Sequence, residues 1–186
     1  MNENYYVMLH DEMRCIGCQS CTVACSNLNG VSRPYARVQV QIKIHEESGR
    51  PRYRFERISC RHCDNAPCVK VCPTGATFQD EDKTVVVNPE QCIQCGYCLG
   101  ACPYKVRFID KTKKAADKCN FCTDTRLKEG EAPACASVCP TDALVFGRMD
   151  SAEAAQWLSE HKNVYQDEKP ETGILHMYRN KEVHND

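Results

Sequence analysis

The sequence predicts an α+β fold that is organised around a repeated cysteine pattern rather than around a large aliphatic core. Sixteen of the 186 residues are cysteine. Leu, Ile, Val and Phe together make up only about 18% of the chain, a fraction that indicates disorder when the net charge is large. The formal net charge here is only −1. We therefore expect cross-links or metal centres to supply the stability that the apolar core lacks.

The cysteines fall into four groups of four, and every group ends in a cysteine that follows a three-residue gap. The first and third groups have the spacing C-x2-C-x2-C-x3-C, the second has C-x2-C-x4-C-x3-C, and the fourth carries a 12-residue insert before its third cysteine. In chain order the groups are Cys15, Cys18, Cys21 and Cys25; Cys60, Cys63, Cys68 and Cys72; Cys92, Cys95, Cys98 and Cys102; and Cys119, Cys122, Cys135 and Cys139. The last three groups continue with proline. The pattern is an internal repeat that leaves no cysteine over.

This spacing suits a [4Fe–4S] cluster, whose four iron corners each need one thiolate. Three closely spaced cysteines wrap a loop around three corners, and the fourth begins a helical turn that points toward a neighbouring cluster. Runs of this kind ligate clusters in pairs with the fourth cysteines exchanged, and the proline that follows turns the chain. The repeat therefore predicts four [4Fe–4S] clusters with all sixteen cysteines as ligands.

Two other uses of cysteine fit the sequence less well. Structural zinc also uses C-x2-C pairs, but such sites take two pairs separated by a longer span. A disulfide scaffold is typical of secreted chains, and the start Met1–Tyr6 has neither a signal peptide nor a twin-arginine pair. We expect His62, between Cys60 and Cys63, to be solvated or to lie at a cluster edge, since the cysteines already satisfy the ligand count.

Apolar patterns between the groups predict short strands. The segment Val38–Ile44 alternates between apolar and polar residues, as a half-buried strand does. Residues 48–51 predict a turn and Tyr53–Ile58 a returning strand, which together form an inserted β-hairpin. Three further strands are predicted after the Cys-Pro turns, at Thr84–Val87, Val106–Ile109 and Leu144–Phe146. Cluster loop, short helix, turn and short strand form the bacterial ferredoxin repeat, which is doubled here.

The predicted organisation is a four-cluster ferredoxin-like domain at residues 1–149, followed by a C-terminal helix and tail at 150–186. Asp150 and Glu153 predict the capped start of a helix at Ser151–His161, which contains the single tryptophan. The polar remainder is either a surface tail or an arm that contacts a partner subunit. Its apolar residues favour the arm: Ile174, Leu175, Met177 and Tyr178.

The net charge and the basic runs of the sequence agree with the prediction of iron–sulfur clusters. Each oxidised cluster with its thiolates adds about −2, so four clusters bring the protein to about −9. Two basic runs flank the middle groups: Arg50, Arg52, Arg54, Arg57 and Arg61; and Lys105, Arg107, Lys111, Lys113, Lys114 and Lys118. Positive charge near sulfur raises cluster potentials, although we expect most of these side chains to be solvated. A pI of about 6.6 without a binding motif argues against nucleic-acid binding.

The sequence also predicts the absence of a catalytic centre, an export signal and a membrane span. It has no Gly-rich phosphate loop, and its other five histidines are scattered. No apolar run approaches the roughly 18 residues of a membrane helix. The chain is therefore predicted to carry electrons rather than to catalyse a reaction.

Several stretches resemble one protein family. They are Met8-Leu9-His10-Asp11, Cys15-Ile16-Gly17-Cys18, the run from Cys60 to Cys68 (CRHCDNAPC) and Cys72-Pro73-Thr74-Gly75-Ala76. With the order of the four groups and the 12-residue insert, they resemble the four-cluster iron–sulfur subunit of the dimethyl sulfoxide reductase family of molybdoenzymes. The resemblance covers about residues 5–149. It is greatest to the polysulfide and thiosulfate reductase members and to the electron-transfer protein of formate-dependent nitrite reduction.

The resemblance implies a ligation scheme in which the first group pairs with the fourth and the second pairs with the third. One module would hold a first cluster on Cys15, Cys18, Cys21 and Cys139, and a second on Cys119, Cys122, Cys135 and Cys25. The other module would hold a third cluster on Cys60, Cys63, Cys68 and Cys102, and a fourth on Cys92, Cys95, Cys98 and Cys72. In the family the first cluster lies nearest the molybdenum subunit and the fourth nearest the membrane anchor. Some relatives have tryptophan at the position of Cys95 and hold a [3Fe–4S] cluster there, so Cys95 predicts four cubanes.

The resemblance also implies partners and a location. The expected partners are a catalytic subunit with a molybdenum bis-pterin-guanine-dinucleotide cofactor and a quinone-reactive, multi-helix membrane subunit. This protein would be a peripheral subunit of an anaerobic respiratory complex, with the periplasmic face, reached by co-export with a signal-bearing partner, favoured over the cytoplasmic face. The alternatives are a free polyferredoxin that serves a hydrogenase or formate dehydrogenase, and a zinc-stabilised interaction module.

Overall fold

The computed structural model describes residues 5–160, 164–165 and 176–179, and within them short helices and short strands alternate. The helices are α1 (Ser20–Asn29), α2 (Pro67–Lys70), α3 (Tyr97–Gly100), α4 (Ala134–Ser137) and α5 (Ala152–Glu160). The strands are β1 (Tyr6–Asp11), β2 (Val38–Glu47), β3 (Arg50–Ser59), β4 (Thr77–Gln79), β5 (Val85–Val87), β6 (Phe108–Asp110), β7 (Ala115–Asp117), β8 (Leu144–Arg148), β9 (Val164–Tyr165) and β10 (His176–Arg179). Single turns of 3₁₀ helix lie at Pro89–Gln91 and Arg126–Glu129.

The first four helices each carry the third cysteine of one group. Helix α1 continues through the fourth cysteine, Cys25, and ends at Gly30, whose φ of +59° suits a left-handed C-cap. Helices α2, α3 and α4 are four residues long and stop before the fourth cysteine. Helix α1 packs against α4, and α2 packs against α3. The first group is therefore next to the fourth in space, and the second group is next to the third.

Two small antiparallel ribbons follow the middle cysteine groups. Strand β4 pairs with β5, and β6 pairs with β7. The predicted strands at Thr84–Val87 and Val106–Ile109 correspond to β5 and β6, with boundaries shifted by one or two residues. Their partners β4 and β7 were not predicted from the sequence. Each ribbon places backbone N–H groups beside a cysteine group.

The long antiparallel pair of β2 and β3 projects from the cluster region. Glu47 pairs with Arg50, so the turn consists only of Ser48 and Gly49, at φ +51° and +72°. The expectation that Arg50 and Pro51 belong to the turn is wrong, because both pair within the ladder. The predicted half-burial of β2 is found only near the start of the strand, because Val38 is 1% exposed, whereas Ile44 is 68% exposed.

A separate sheet joins the two ends of the described chain. Strand β1, which was not predicted, pairs antiparallel with β8 and parallel with β10, which pairs in turn with β9. Trp157 of α5 is buried against Val7 and Leu9 of β1. This contact attaches the C-terminal helix to the sheet.

The start of α5 differs from the sequence prediction. The hydroxyl of Ser151 accepts a hydrogen bond from the backbone N–H of Ala154 at 3.2 Å, so Ser151 rather than Asp150 caps the helix. The Asp150 carboxylate instead lies 3.5 Å from Nε of Arg148. Two of the tail residues expected to form a partner-contacting arm, Met177 and Tyr178, lie in β10, and the other two are outside the described residues. None of the helices within the described ranges has the length and apolar content needed to cross a membrane.

Candidate iron–sulfur cluster sites

Three cavities are each lined by four cysteines, three from one group and the last cysteine of another. The volumes of the cavities, including the space at their openings to solvent, are about 370, 320 and 310 Å³. We name them in the order of the predicted clusters: site 1, lined by Cys15, Cys18, Cys21 and Cys139; site 3, lined by Cys60, Cys63, Cys68 and Cys102; and site 4, lined by Cys72, Cys92, Cys95 and Cys98. Each combination is one that the resemblance implied.

The four remaining cysteines come together in the interior, and we name this set site 2: Cys25, Cys119, Cys122 and Cys135. Three of them, Cys25, Cys119 and Cys135, belong to one buried cluster of side chains. Burial raises the pKa of the Cys25 thiol, and the neighbouring sulfur atoms of Cys119, Cys135 and Cys122 raise it further. The protein by itself therefore disfavours thiolates here, and a bound metal centre would favour them.

All four cysteine loops use the same backbone device. The residue directly before the second cysteine has a positive φ in each group: +68° at Gly17, +46° at His62, +58° at Gln94 and +57° at Phe121. Left-handed residues within a loop turn successive N–H groups toward one side and form anion-binding concavities, which are common at iron–sulfur sites. Only one of the four is glycine, so the sequence pattern did not reveal this repeat.

Backbone N–H groups approach the cysteine sulfurs directly. The N–H of Thr77 lies 3.4 Å from Sγ of Cys72, and the N–H of Ala116 lies 3.4 Å from Sγ of Cys92. Burial opposes ionisation of Cys72, but hydrogen-bond donors of Thr77, Thr74 and Ala76 outweigh it and lower the pKa of that thiol. Donors of this kind stabilise thiolate and raise the reduction potential of a ligated cluster. The cavities, loops and donors together fit [4Fe–4S] clusters.

Exposure divides the sites into two kinds. In site 2 every cysteine is buried, and in site 3 only Cys63 is half-buried. Sites 1 and 4 each include one exposed cysteine, Cys18 and Cys95 respectively. Sites 2 and 3 therefore keep their cysteines inside the protein, while sites 1 and 4 each bring one cysteine to the surface.

His62 lies between site 2 and site 3, which fits the second of its two predicted environments, the edge of a cluster, and not the first. It is buried rather than solvated, with 2% of its surface exposed, and its ring stacks on Phe121 at 3.9 Å between centroids. Its Nδ1 accepts a hydrogen bond from the N–H of Val85 at 3.1 Å. Burial, and then the positive charges of Lys118, Arg57 and Arg107, lower its pKa well below the usual value. The imidazole is therefore neutral and carries its proton on Nε2.

Comparison with known families identifies the class of cofactor that this protein binds. Two family models, both described as a 4Fe-4S dicluster domain, match residues 14–76 and 52–149. This protein belongs to the 4Fe–4S dicluster family. Its cofactors are therefore [4Fe–4S] clusters, and the ferredoxin-like character that the sequence predicts is confirmed. Across the described part of the chain, no three His, Cys, Asp or Glu side chains are placed to hold a single metal ion.

Members of the family with curated descriptions are similar along most of the chain. The thiosulfate reductase electron transfer subunit PhsB of Salmonella typhi is 54% identical over 97% of this chain and 95% of its own length. A polypeptide of the polysulfide reductase of Wolinella succinogenes is 48% identical over 80% of this chain and 79% of its own. Protein NrfC of Escherichia coli K12 is 49% identical over 83% of this chain and 71% of its own length. The resemblance that the sequence motifs indicate is confirmed by these relatives.

Proposed function

We propose that this protein is the electron-transfer subunit of a respiratory reductase complex and relays single electrons through four [4Fe–4S] clusters. The observation that carries the proposal is the set of cavities in which three cysteines of one group meet the last cysteine of another. This exchange links neighbouring clusters through the short helices that carry the cysteines. Each cluster supplies a centre that accepts and releases one electron. Catalysis takes place on another subunit.

We assign the ligands of the four clusters according to the four sites. Site 1 takes Cys139 and site 2 takes Cys25, so the first and fourth groups form one module. Site 3 takes Cys102 and site 4 takes Cys72, so the second and third groups form the other. The packing of α1 on α4 and of α2 on α3 supports this pairing. The β2–β3 hairpin is an insertion between the modules' loops, and the domain boundary lies near residue 149, before the helix and tail.

The exposed sites are the two ends of the relay. Ile16, beside site 1, is 59% exposed, and Ile93 and Tyr97, beside site 4, are 63% and 64% exposed. Apolar side chains around a cluster that reaches the surface suit docking of a partner that must approach closely. We assign the site 1 end to a catalytic subunit with a molybdenum bis-pterin-guanine-dinucleotide cofactor. The site 4 end would contact a quinone-reactive membrane subunit.

The names of the relatives favour a sulfur compound as terminal substrate, since two of them are described as parts of a thiosulfate reductase and a polysulfide reductase. The complex would lie at the periplasmic face, to which this protein is exported together with its catalytic partner. The C-terminal tail would hold a partner subunit.

Anaerobic affinity purification from native membranes tests the proposal. We expect about 16 irons per chain, together with molybdenum and two partner subunits identified by mass spectrometry. Ile16→Glu should release the molybdenum subunit and Ile93→Glu the membrane subunit. Leu28→Glu, at an exposed position that lines neither the site 1 nor the site 4 cavity, should release neither. An iron-loaded protein that purifies alone would instead establish a free polyferredoxin, and a colourless zinc protein would establish an interaction module.

A further inference from the structure

Three buried cations lie along the series of cluster sites. They are Arg57, Lys118 and Arg107, which are 1%, 2% and 7% exposed. They belong to the two basic runs of the sequence, whose members Arg50, Lys111 and others are exposed. A buried charge loses its hydration and must be compensated within the protein. The groups that surround these three side chains therefore show which anions balance their positive charges.

Arg57 lies between site 1 and site 2. It lines the site 1 cavity, and its Nη2 is 3.8 Å from Sγ of Cys135 in site 2. Its main electrostatic partners are Cys135 and Cys119 of site 2 and Cys21 of site 1. Its Nη1 donates a 2.5 Å hydrogen bond to Ser59, which holds the guanidinium in this position.

Lys118 lies between site 2 and site 3. Its Nζ donates hydrogen bonds to the carbonyl oxygens of Val85, which lines site 3, and of Cys119 in site 2. Burial lowers its pKa, while the sulfur atoms of Cys60 and Cys119 oppose that shift. The ammonium group is thus shared by the two internal sites.

Arg107 lies between site 3 and site 4. It lines the site 3 cavity and interacts electrostatically with Cys60 there. Its Nη2 donates to the hydroxyl of Thr77, which lines site 4, at 3.0 Å, and its side chain hydrogen-bonds Cys98 of the same site. Its Nε and Nη1 are buried and have no hydrogen-bond partner in the described protein, so they are available to a bound group.

No carboxylate of the described residues lies within ion-pair distance of these cations, although that of Asp80 interacts electrostatically with Lys118 at longer range. Among the ion pairs of those residues, none includes Arg57, Lys118 or Arg107. The buried Arg37, by contrast, lies 2.8 Å from the carboxylate of Asp117. Among the anionic groups near Arg57 and Lys118, the cysteines of the adjacent sites contribute most, so we expect the cluster sites on either side to supply the main counter-charge.

We propose that Arg57, Lys118 and Arg107 each stand between two consecutive clusters and raise the reduction potentials of those two clusters above the values they would have alone. The proposal rests on the proposed four-cluster function. A cation stabilises the reduced, more negative state of a nearby cluster. Its effect falls with distance and with solvent screening, so the two adjacent clusters respond most. The cations act by positioning charge and do not themselves carry electrons.

Redox titration of the purified complex, followed by electron paramagnetic resonance, tests this arrangement. Arg57→Gln should lower two of the four midpoint potentials, as should Lys118→Met and Arg107→Gln. The affected pairs should overlap in order: the Arg57 and Lys118 variants share one cluster, the Lys118 and Arg107 variants share another, and the Arg57 and Arg107 variants share none. Lys111→Gln, which removes an exposed charge of the same run, should leave all four potentials unchanged.

Iron and acid-labile sulfide content separates the possible failures. A wild-type complex without about 16 irons would refute the proposed function itself. If the variants are fully loaded with iron, the present inference alone is refuted when a variant changes no potential, only one potential or all four. It is also refuted when the Arg57 and Arg107 variants change the potential of the same cluster. If the Arg57→Gln variant does not take up its clusters, the potentials of the Arg57→Lys variant are measured instead. It keeps the charge, so any change must be confined to sites 1 and 2, and a shift at site 3 or 4 overturns the inference.

Discussion

The guanidinium of Arg37 lies 2.8 Å from the carboxylate of Asp117, and both side chains are only 7% exposed. Arg37 also donates to the side-chain carbonyls of Asn29, at the end of α1, and of Asn120, in the fourth cysteine loop, at 2.6 and 3.0 Å. One guanidinium therefore connects the first cysteine group, the fourth group and strand β7. This network supports the proposed pairing of the first and fourth groups around sites 1 and 2.

Breaking this ion pair should destabilise the protein strongly. Arg37→Met leaves the Asp117 carboxylate with Lys113, at 2.9 Å, as its remaining charged partner, and Asp117→Asn leaves the buried guanidinium without a carboxylate. We therefore expect a cost near the lower end of the range of about 3–5 kcal/mol that a broken buried ion pair costs. Anaerobic urea unfolding, followed by the visible absorbance of the clusters, measures the loss. Lys43→Gln is the matched control, because Lys43 is half-exposed and its pair with Glu56 at 3.2 Å should contribute under about 1 kcal/mol. If Lys43→Gln lowered the free energy of unfolding as much as Arg37→Met or Asp117→Asn, a structural role for Arg37 would be contradicted.

Gly17 should tolerate no side chain. Its φ is +68°, and a Cβ at this position would overlap the ring of Phe55 on the hairpin. Gly17→Ala should therefore cost about 2–4 kcal/mol, since it combines overpacking with left-handed strain. Gly75→Ala is the control: φ there is +69°, but nothing lies within 4 Å of a Cβ, so only the strain of about 1 kcal/mol remains. Replacing Phe55 by Leu in the Gly17→Ala protein should restore part of the loss, and no recovery would show that the ring is not the obstacle.

Cys95→Trp should change one cluster and leave the others. Cys95 is exposed and lines site 4, so its loss removes one thiolate from that site alone. We expect the iron content to fall from about 16 to about 15 per chain, with a [3Fe–4S] resonance in the oxidised protein. Ile93→Trp is the control, since it adds an indole to the same exposed loop and keeps every cysteine. Four intact [4Fe–4S] clusters in Cys95→Trp would refute the assignment of this ligand.

Stability should depend on pH through Glu12. Burial, with the nearby carboxylate of Glu56, raises the pKa of Glu12 from 4.5 to about 7. In the unfolded chain the carboxyl ionises near its usual pKa, while the folded chain holds the proton, so folding stability is lost as the pH rises from about 4.5 to 7. Glu12→Gln should remove this loss, which is about 3 kcal/mol above pH 7 and small at pH 4.5. Urea unfolding of both proteins across this range measures the difference, and a benefit that does not vary with pH would exclude ionisation as its cause.

The cluster loops could be predicted from the sequence because their information is local. Three of the four cysteines that line each cavity lie within about a dozen residues of one another, so their spacing shows which loop surrounds a cluster. The fourth cysteine comes from another group, and spacing alone does not identify it. The alternation of Val38–Ile44 likewise predicted a strand. Strands β4 and β7 were not predicted, because Thr77–Gln79 and Ala115–Asp117 are three residues long and show no periodicity.

The sequence by itself determined the cofactor class and the cysteine groups, since spacing along the chain is a local property. Only the tertiary structure decided which charges face the clusters. Arg50 and Arg57 belong to one basic run, and Lys111 and Lys118 to another, yet one member of each pair is exposed and the other is buried beside sulfur. Composition cannot distinguish them. Burial depends on packing between segments far apart in the chain, such as Arg57 of the hairpin against Cys135, 78 positions later.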